Sequence, residues 1–410
     1  MSRAALVSSP VTLLKGHLPA LDGLRGLAIL LVLVHNLDIY APAAGAMLLA
    51  RVYKEAAYVG WIGVQLFFVL SGFLITRVLL ASQDDPHYFR NFYARRVLRI
   101  FPLYYLALVV FTGLLPALGL SPVQDAHGSP LWLWFYLSNW TQTIGLGGDQ
   151  LPHFWSLAVE EQFYLLWPLL LWRRSPRQTL FLACGLVVLS PFLRAWMLVH
   201  HLDPGTVYVS TFARMDALAA GAAVAAFLAT PGRSERTLDW RIWAVMALLA
   251  AGLAVLGSHG FQRLSPAGQV FGYSLLAAAF AASVAAAAAT DVVRAGKRRQ
   301  PWWYRLLCHP ALRMIGCYSY AIYVFHKPLD QWLGQRMLLG LTGGVETSNG
   351  WIAAAYLLSM GSLSVLIGGA SWYLFERHFL KLKSHFDAKA PTSLPAPATT
   401  LQLGMPLPSR

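Results

Sequence analysis

Ten apolar runs of about 18 or more residues follow one another along this chain, and each is long enough to cross a bilayer as a helix. Hydrophobic residues make up 57% of the 410 residues and charged residues only 12%, a composition that ordinary soluble domains do not have. We therefore predict an all-α, polytopic integral membrane protein with about ten transmembrane helices. The predicted spans lie near residues 21–40, 59–81, 99–120, 154–172, 178–200, 207–229, 240–257, 269–290, 311–333 and 351–376.

Lysine and arginine are distributed unevenly between the loops. With the N-terminus placed in the cytoplasm, the cytoplasmic segments hold 25 of them and the outside loops hold four, Arg51, Lys54, Arg263 and Arg336. This split follows the positive-inside rule and predicts that both termini are cytoplasmic. The net charge of +14 then faces anionic lipid headgroups and soluble anions, so we expect no nucleic-acid partner. We expect a multi-pass protein of the cytoplasmic (inner) membrane.

The domain organisation predicted from these patterns is simple. A cytoplasmic N-terminal segment, 1–18, precedes one membrane domain at 19–383. A tail at 384–410, rich in Pro, Ala, Ser and Thr, is expected to be cytoplasmic and disordered. The small residues at 41–46 resemble a signal-peptide cleavage site, but polar residues that include His35 interrupt the apolar run before them, so we expect no cleavage. The three cysteines form no even set, and we expect no structural disulfide.

His35 lies about two-thirds of the way along the first predicted span, which has Asp22 and Arg25 at its cytoplasmic end. Ionisable side chains are costly in hydrocarbon, and those that occur there usually line a water-filled or substrate-filled cavity. An imidazole also accepts and returns a proton near neutral pH. The alternative is a histidine at the membrane interface or hydrogen-bonded to a neighbouring helix, and this feature alone leaves both interpretations open.

A cluster of arginines marks the cytoplasmic start of the third span. Arg95, Arg96 and Arg99 are spaced three and four residues apart, so neighbouring pairs share a helix face. Guanidinium groups on adjacent turns suit a phosphate-bearing ligand. The alternative is a set of anchors that bind lipid phosphate.

The spacing along the first span suggests which donor such a site would hold. Arg25 and His35 are ten residues apart, which is about 15 Å of helix rise. A long donor bound by its phosphates at the cytoplasmic arginines could therefore place its reactive end near His35. Coenzyme A thioesters have that shape.

Two consecutive carboxylates, Glu160 and Glu161, follow Trp155 near the start of the fourth span. They are poor lipid-facing residues. Consecutive side chains on a helix point about 100° apart, so we expect at most one of them to aim into a given cavity. A favourable interaction with the helix N-terminus is the alternative, and it explains one glutamate better than two.

In this order and spacing the motifs resemble the acyltransferase type 3 family of integral membrane O-acyltransferases, from about residue 18 to residue 380. The matching segments are LDGLRG at 21–26 with His35, GVQLFFVLSGFLI at 63–75, RRVLRIFPLY at 95–104 and FWSLAVEEQFY at 154–164, with weaker matches in RMDAL at 214–218 and YSYAIYVFH at 318–326. Each segment alone is a modest signal, whereas the series is highly specific.

The resemblance implies transfer of an acyl group, often acetyl from acetyl-CoA, across the membrane to a hydroxyl of a sugar or another extracytoplasmic acceptor. It implies that the first-span histidine and an Arg-x-x-Arg pair are functional, and here these are His35 and the pair Arg96 and Arg99. Some family members carry an additional extracytoplasmic hydrolase-like domain, and we expect this chain to be a member without one. The expected donor is acyl-CoA, in the first place acetyl-CoA, and no metal is expected.

A hydroxyl needs a base to attack a thioester, because an alcohol is a weak nucleophile at neutral pH. We predict that His35 is this base and that Glu160 orients its imidazole and stabilises the protonated form, as the acid does in a catalytic triad. Direct deprotonation of the acceptor and transient carriage of the acyl group on His35 both stay open. Ser71 is an alternative carrier, although small residues in spans more often serve helix packing.

The remaining candidates come from the weaker signals. Donor-binding residues are predicted to be Arg25, Arg95, Arg96 and Arg99, and further site candidates are Asp22, Ser71, Trp155, Glu161, Tyr164, Arg214, Asp216 and His326. Arg214 and Asp216 are too close in sequence for a strong helix pair. Three tryptophans of the long outer loop, Trp132, Trp134 and Trp140, could stack on a sugar, but an interfacial aromatic belt is the more common reason for such a pattern.

The predicted function is a membrane O-acyltransferase that moves an acyl group, most often acetyl, from cytoplasmic acyl-CoA to a hydroxyl of an extracytoplasmic or membrane-associated acceptor, such as a sugar of a cell-surface polysaccharide or glycolipid. One alternative is an O-acyltransferase that acts on a secondary metabolite. Another is a secondary transporter with a buried His/Arg/Glu site, although many transporters show internal repeats and none is evident here. A polyprenyl-linked glycosyltransferase would carry its acidic groups on extracytoplasmic loops.

Overall fold

A computed structural model of the protein describes residues 16–42, 47–120, 129–141, 150–231, 239–257, 262–293 and 300–386. Within these ranges the chain is helical, apart from short connections and one bridge between Tyr40 and Thr347. Eleven helices in the described residues have twelve or more residues: α1 (Pro19–Asn36), α2 (Leu48–Val59), α3 (Ile62–Ala81), α4 (Tyr88–Leu108), α5 (Trp155–Leu171), α6 (Pro176–Val199), α7 (Met215–Ala229), α8 (Trp240–Gly257), α9 (Tyr273–Val293), α10 (Pro310–Leu329) and α11 (Gly350–Ser371).

Shorter helical segments connect or extend these helices. They are Val109–Leu114 and Leu115–Ala117 after α4, Leu131–Trp134, Ser138–Trp140, Pro152–Phe154, Pro204–Val209, Phe212–Arg214, Gly268–Gly272, Trp302–Leu307, Asp330–Gly334, Gln335–Thr342, Trp372–Glu376, Arg377–Lys381 and Leu382–Phe386. The last of these covers the first three residues of the tail that the sequence predicts to be disordered, and the rest of that tail lies outside the described residues. Most of the predicted N-terminal segment, residues 1–15, also lies outside them.

The predicted class, an all-α polytopic membrane protein, is confirmed. Seven helical segments in the described ranges are long and apolar enough to cross a membrane: Pro19–Asn36, Leu48–Ala81, Tyr88–Ala117, Pro176–Val199, Phe212–Ala229, Gly268–Asp291 and Gly350–Phe386. The other three predicted spans are helices as well, namely α5, α8 and α10. They are shorter or more polar, since α5 has 17 residues and α10 carries Arg313, His326 and Lys327. The total of ten spans stays a prediction.

One helix lies where the sequence predicts an outside loop. α2 occupies the segment before the second predicted span and is separated from α3 only by Gly60 and Trp61. Its apolar residues recur at helical spacing, and Lys54 on its polar side reaches Asp38 at 2.6 Å. This ion pair fixes α2 to the segment that follows α1. The sequence predicts this segment only as an outside connection between two spans, and the structure shows that Leu48–Val59 within it is an amphipathic helix.

α3 is the central helix of the fold and packs against α1, α5, α7 and α9. Its crossing with α7 is close because glycines face backbone there: a Cβ atom at Gly72 would overlap the carbonyl of Leu218, and one at Gly221 would overlap that of Val69. Small residues of this kind let helix backbones approach in membranes. This contact fixes the rotation of α3 and thereby the direction in which Ser71, the neighbour of Gly72, points.

The distribution of lysine and arginine between the loops predicts on which side of the membrane each loop lies. Reporter fusions at residue 149 should read as extracytoplasmic, whereas fusions at residues 232 and 296 should read as cytoplasmic. All three positions lie outside the described residues. Paired reporters, one active only outside and one active only in the cytoplasm, make the measurement. A cytoplasmic reading at residue 149 would overturn the predicted topology and the side on which the donor is expected.

Candidate active site

A cavity of about 330 Å³ lies between α1, α3, α4, α5 and α10. Its volume is at the lower end of the range for ligand pockets. It is also elongated, because its lining on α3 extends from Val64 to Val78, fourteen residues or about 21 Å of helix rise. A slender ligand therefore fits its shape. The lining residues are Gly16, Arg25, Val64, Phe67, Phe68, Leu70, Ser71, Leu74, Ile75, Arg77, Val78, Arg96, Arg99, Ile100, Ser156, Leu157, Glu160, Glu161, Tyr164, Ser319, Tyr320 and Tyr323.

Four arginines define one end of the cavity, which we call the arginine end: Arg25, Arg77, Arg96 and Arg99. In the part of the chain that the structure describes, none of their guanidinium nitrogens has a carboxylate oxygen within 4.0 Å. Arg96 instead lies over the ring of Tyr164, at 5.3 Å from its centroid. Guanidinium groups that face a cavity without an ion-pair partner are suited to an anionic ligand.

Three of the four predicted donor-binding residues are thus brought together, and the fourth is not. Arg95, next to Arg96, directs its Nε to the carbonyl of Asn91 at 3.1 Å and does not line the cavity. Asp22 also lies outside the lining, where it accepts a hydrogen bond from His17 at 2.7 Å and lies 3.9 Å from Arg313. Adjacent helical residues point about 100° apart, which explains why Arg95 and Arg96 face different surroundings.

Arg77 is a lining residue that the sequence did not single out. It is 8% exposed, and its Nη2 donates to the carbonyl of Gly16 at 2.5 Å, where the chain enters α1. The sequence contained a signal, because an arginine within an apolar span is unusual. It was counted instead among the cytoplasmic charges that set the topology.

The middle of the cavity holds the two glutamates. Glu160 accepts hydrogen bonds from Ser71 Oγ at 2.9 Å and from Tyr164 Oη at 3.2 Å. Glu161 lines the same cavity, although the two side chains point in different directions from the helix. The reason is that the cavity extends around enough of the α5 circumference to meet side chains about 100° apart.

His35 does not line the cavity. Its Nδ1 donates to the carbonyl of Ala57 in α2 at 2.9 Å. The Cβ atom of His35 lies beside Gly60, where an added Cβ atom would come within 2.9 Å of it. Val64, which lines the cavity, is one helical turn beyond Gly60. His35 is therefore placed about one turn past the end of the cavity opposite the arginines, which we call the far end.

The predicted contact between His35 and Glu160 is not present. The two carboxylate oxygens of Glu160 are bonded to Ser71 and Tyr164, and the carbonyl of Ala57 occupies Nδ1 of His35. A backbone carbonyl thus orients the imidazole in place of a carboxylate. The sequence could not show this, because α2 was predicted as a loop.

Arg214 and Asp216 lie behind the cavity wall, each with a partner on another helix. Asp216 pairs with Arg194 of α6 at 2.8 Å, and both side chains are fully buried. Arg214 donates to Gln65 of α3 at 2.5 Å and lies over the ring of Tyr273 at 4.5 Å. These contacts join α3, α6, α7 and α9. The expectation that the two residues do not pair with each other agrees with this geometry, and Arg194 is the partner that the sequence left unassigned.

Trp155 belongs to the same layer as Arg214. Its ring packs edge-on against Phe68, which lines the cavity, with 6.0 Å between centroids, and lies 4.8 Å from the ring of Tyr208. The tryptophans of the outer segment also contact rings of the protein, since Trp134 stacks on Tyr105 at 5.5 Å and Trp140 contacts Phe212 at 6.0 Å. A sugar-stacking role for them stays a prediction.

His326 lies next to the far end but outside the cavity lining, beside a second histidine that the sequence did not single out. Its Nδ1 donates to the carbonyl of Tyr323 at 2.7 Å, and its ring centroid is 5.1 Å from that of His153. The hydroxyl of Tyr323, which lines the cavity, is 2.6 Å from Ser156 Oγ and donates to the carbonyl of His153 at 2.9 Å. The signal for His153 was its place directly before the motif that contains Glu160.

Fold and site together define a helical membrane protein whose elongated cavity has, at one end, guanidinium groups without an ion-pair partner among the described residues and has histidines near the other end. No group of three or more His, Cys, Asp or Glu residues in the described ranges is arranged to hold a metal ion. The chain belongs to the acyltransferase family, because a family model described as an acyltransferase domain matches residues 18–369. The resemblance seen in the motifs is thereby confirmed.

The chain is also similar to curated proteins over part of their length. The peptidoglycan O-acetyltransferase OatA of Listeria monocytogenes is 29% identical over 331 residues, covering 76% of this chain and 49% of the relative. The putative peptidoglycan O-acetyltransferase YrhL of Bacillus subtilis is 28% identical over 336 residues, covering 76% and 48%. The O-acetyltransferase OatA of Staphylococcus aureus is 29% identical over 343 residues, covering 76% and 50%. The chain thus spans about half the length of these relatives. No solved structure matches it significantly.

Proposed function

We propose that the protein is an O-acetyltransferase of the cytoplasmic membrane, which takes an acetyl group from cytoplasmic acetyl-CoA and transfers it to a hydroxyl of a cell-wall glycan, in the first place peptidoglycan. The observation that carries the proposal is the arginine end, where guanidinium groups with no ion-pair partner in the described part of the chain face an elongated cavity. The acceptor class is supported by the names of the relatives, which describe O-acetyltransferases of peptidoglycan.

The donor is proposed to bind with its phosphates at the arginine end. Arg25, Arg96 and Arg99 supply forked donors that match phosphate oxygens on more than one side. The thioester arm then extends along α3 past Ser71 toward Val64. The cavity length of about 21 Å along α3 suits a long, slender arm, whereas a short donor bound at the arginines would not reach the far end.

His35 is proposed as the base for the acceptor hydroxyl. Because the Ala57 carbonyl can only accept a hydrogen bond, Nδ1 of the neutral imidazole carries the hydrogen and Nε2 keeps its lone pair. As the hydroxyl oxygen bonds to the thioester carbonyl carbon, its proton passes to Nε2. The C–S bond then breaks and the leaving sulfur takes up that proton, so the histidine returns to its starting form.

Glu160 is proposed to hold the polar side chains in the middle of the cavity in place. Its carboxylate fixes the hydroxyls of Ser71 and Tyr164, and its charge compensates the guanidinium groups nearby when no donor is bound. Ser71 stays the alternative acyl carrier, and its hydrogen bond to Glu160 would provide the base that a serine nucleophile requires.

The proposal is tested with purified protein in detergent or nanodiscs, given acetyl-CoA labelled in the acetyl group and glycan from de-O-acetylated peptidoglycan. The expected result is labelled glycan and free CoA in equal amounts. A transporter would release no CoA and form no ester. Mass spectrometry of cell-wall glycans provides the matching test in cells. Glycans from cells without the protein should lack the acetyl mass that glycans from cells with the protein carry.

Replacement of the arginine pair should weaken donor binding selectively. Arg96→Lys and Arg99→Lys keep the charge but lose the forked geometry, so the affinity for CoA in calorimetric titration is expected to fall by about ten- to a hundredfold. Arg95→Lys is the matched control, because this neighbouring side chain does not line the cavity. Equal affinities in all three variants and the wild type would show that these arginines do not hold the donor.

A further inference from the structure

Two buried ring nitrogens at the far end have no hydrogen-bond partner among the residues that the structure describes. They are Nδ1 of His153 and Nε2 of His326. The side chains are 7% and 0% exposed, and the ring centroids are 5.1 Å apart. Buried polar atoms are almost always paired in native proteins, so two unpaired nitrogens on adjacent rings indicate that something other than these side chains completes the site.

Backbone carbonyls determine what kind of group these nitrogens can bind. Nδ1 of His326 contacts the carbonyl of Tyr323 at 2.7 Å, and Nε2 of His153 contacts that of Val324 at 3.4 Å. Carbonyl oxygens only accept, so each contacting nitrogen carries the hydrogen of its neutral ring. The free nitrogen of each ring is therefore a lone pair, and the two histidines together present two hydrogen-bond acceptors.

The hydroxyls beside them do not satisfy these acceptors. Ser156 Oγ and Tyr323 Oη are 2.6 Å apart, and both reach the carbonyl of His153, at 3.2 Å and 2.9 Å. Each hydroxyl has one hydrogen. One hydrogen is used between the two hydroxyls and the other is used on the carbonyl, whichever way the pair is arranged. The ammonium of Lys327 is bonded to Asp330 at 2.9 Å and to the carbonyl of Asn36 at 3.3 Å.

We propose that His153 and His326 form a subsite that binds hydroxyl groups of the acceptor glycan. A ligand for two adjacent acceptors must carry at least two donors, and the neighbouring hydroxyls of a sugar supply them. Ser156 and Tyr323 line the far end of the cavity and contact the histidine pair. The two rings lie behind Ser156 and Tyr323 and are not themselves part of the cavity lining, so a sugar that reaches them would stand next to the end of the donor arm. This inference rests on the proposed function and adds the residues that recognise its acceptor.

Amide side chains give a crossed test, because asparagine reproduces the Nδ1 position of histidine and glutamine the Nε2 position. If His326 binds the acceptor through Nε2, His326→Gln should keep acceptor binding and His326→Asn should lose it. If His153 binds through Nδ1, the order reverses: His153→Asn should keep it and His153→Gln should lose it. A role limited to the carbonyl contacts predicts the opposite order at both positions, since those contacts use Nδ1 of His326 and Nε2 of His153.

The measured quantities are the KM for glycan fragments from de-O-acetylated peptidoglycan and the rate of acetyl-CoA hydrolysis without glycan. In His326→Asn and His153→Gln we expect the glycan KM to rise about three- to tenfold, the effect of one lost hydrogen bond, and the rate of acetyl-CoA hydrolysis shows whether the donor site is altered as well. His326→Gln and His153→Asn should keep the wild-type KM for glycan. Thermal unfolding in detergent for all four variants identifies any that do not fold, and the other position then decides.

Three outcomes would overturn the inference. The opposite order of asparagine and glutamine would assign the rings to helix packing. An unchanged glycan KM in all four variants would leave only a bound water at the pair. Binding and hydrolysis of acetyl-CoA by the wild type without acylation of any glycan would exclude glycans as the ligand. By contrast, failure of the wild type to bind or cleave acetyl-CoA would count against the proposed function itself.

Discussion

His35→Ala is expected to abolish acyl transfer while the protein still folds and inserts. The side chain supplies the only proposed proton acceptor for the attacking hydroxyl, and loss of a general base costs about 10²- to 10⁴-fold in rate. The measurement is the amount of acetylated glycan formed per molecule of purified protein. Expression level and thermal unfolding of the same preparation report the folded amount.

A conservative variant separates catalysis from packing at this position. His35→Asn keeps a donor where Nδ1 bonds to the carbonyl of Ala57 but removes Nε2. We expect His35→Asn to match the wild type in thermal unfolding and to be as inactive as His35→Ala. A histidine that only packs would show the reverse pattern, with activity falling only as far as folded protein is lost. Near-normal activity per folded molecule in His35→Asn would exclude Nε2 as the base.

Glu160→Gln should be nearly as severe, and Glu161→Gln should be distinctly milder. The Glu160 carboxylate accepts from Ser71 with one oxygen and from Tyr164 with the other, whereas glutamine replaces one of these oxygens with an amide donor, so one hydroxyl loses its acceptor. We expect kcat/KM to fall by about a hundredfold or more for Glu160→Gln. The two substitutions remove the same charge from neighbouring positions on the same cavity, so each controls for the other.

The readout for this pair is kcat/KM for transfer, with CoA affinity measured in parallel. A CoA affinity that does not fall, together with lost transfer, is the result expected for a group that acts in the middle of the cavity. Greater damage from Glu161→Gln than from Glu160→Gln would show that the functional carboxylate is Glu161. Equal and small effects of the two substitutions on kcat/KM would show that both glutamates serve only helix packing.

The parts of the site that the sequence predicted are those set by a single helix. The spacing of Arg96 and Arg99 placed both on one face of α4, and the structure brings them to one cavity with Arg25. That convergence was expected from the charge of the span ends. The class of helical membrane protein could be predicted from the apolar runs, because the hydropathy of a segment depends on consecutive residues and not on how helices pack.

The parts that could not be predicted depend on how helices are rotated against each other. The orientation of His35 is set by Ala57 of α2, and that of Ser71 by the close contact of α3 and α7 at Gly72. Both are contacts between different helices. Periodicity along one helix does not show which residues of another helix it contacts. For the same reason the pairing of His153 with His326, 173 positions further along the chain, had no sequence signal beyond the presence of two histidines.

Proteoliposomes in which the protein has one known orientation would show whether acetyl crosses the membrane through the cavity. Labelled acetyl-CoA is supplied on one side of the membrane only, and a membrane-impermeable peptidoglycan fragment on the other. If acetyl passes through the cavity from the arginine end, labelled glycan forms when the donor is on the side of residues 232 and 296, and not when the two substrates are exchanged. Two results would contradict transfer through the cavity. One is labelled glycan that forms only when donor and acceptor are supplied on the same side of the membrane, and the other is no labelled glycan in either of the two arrangements described.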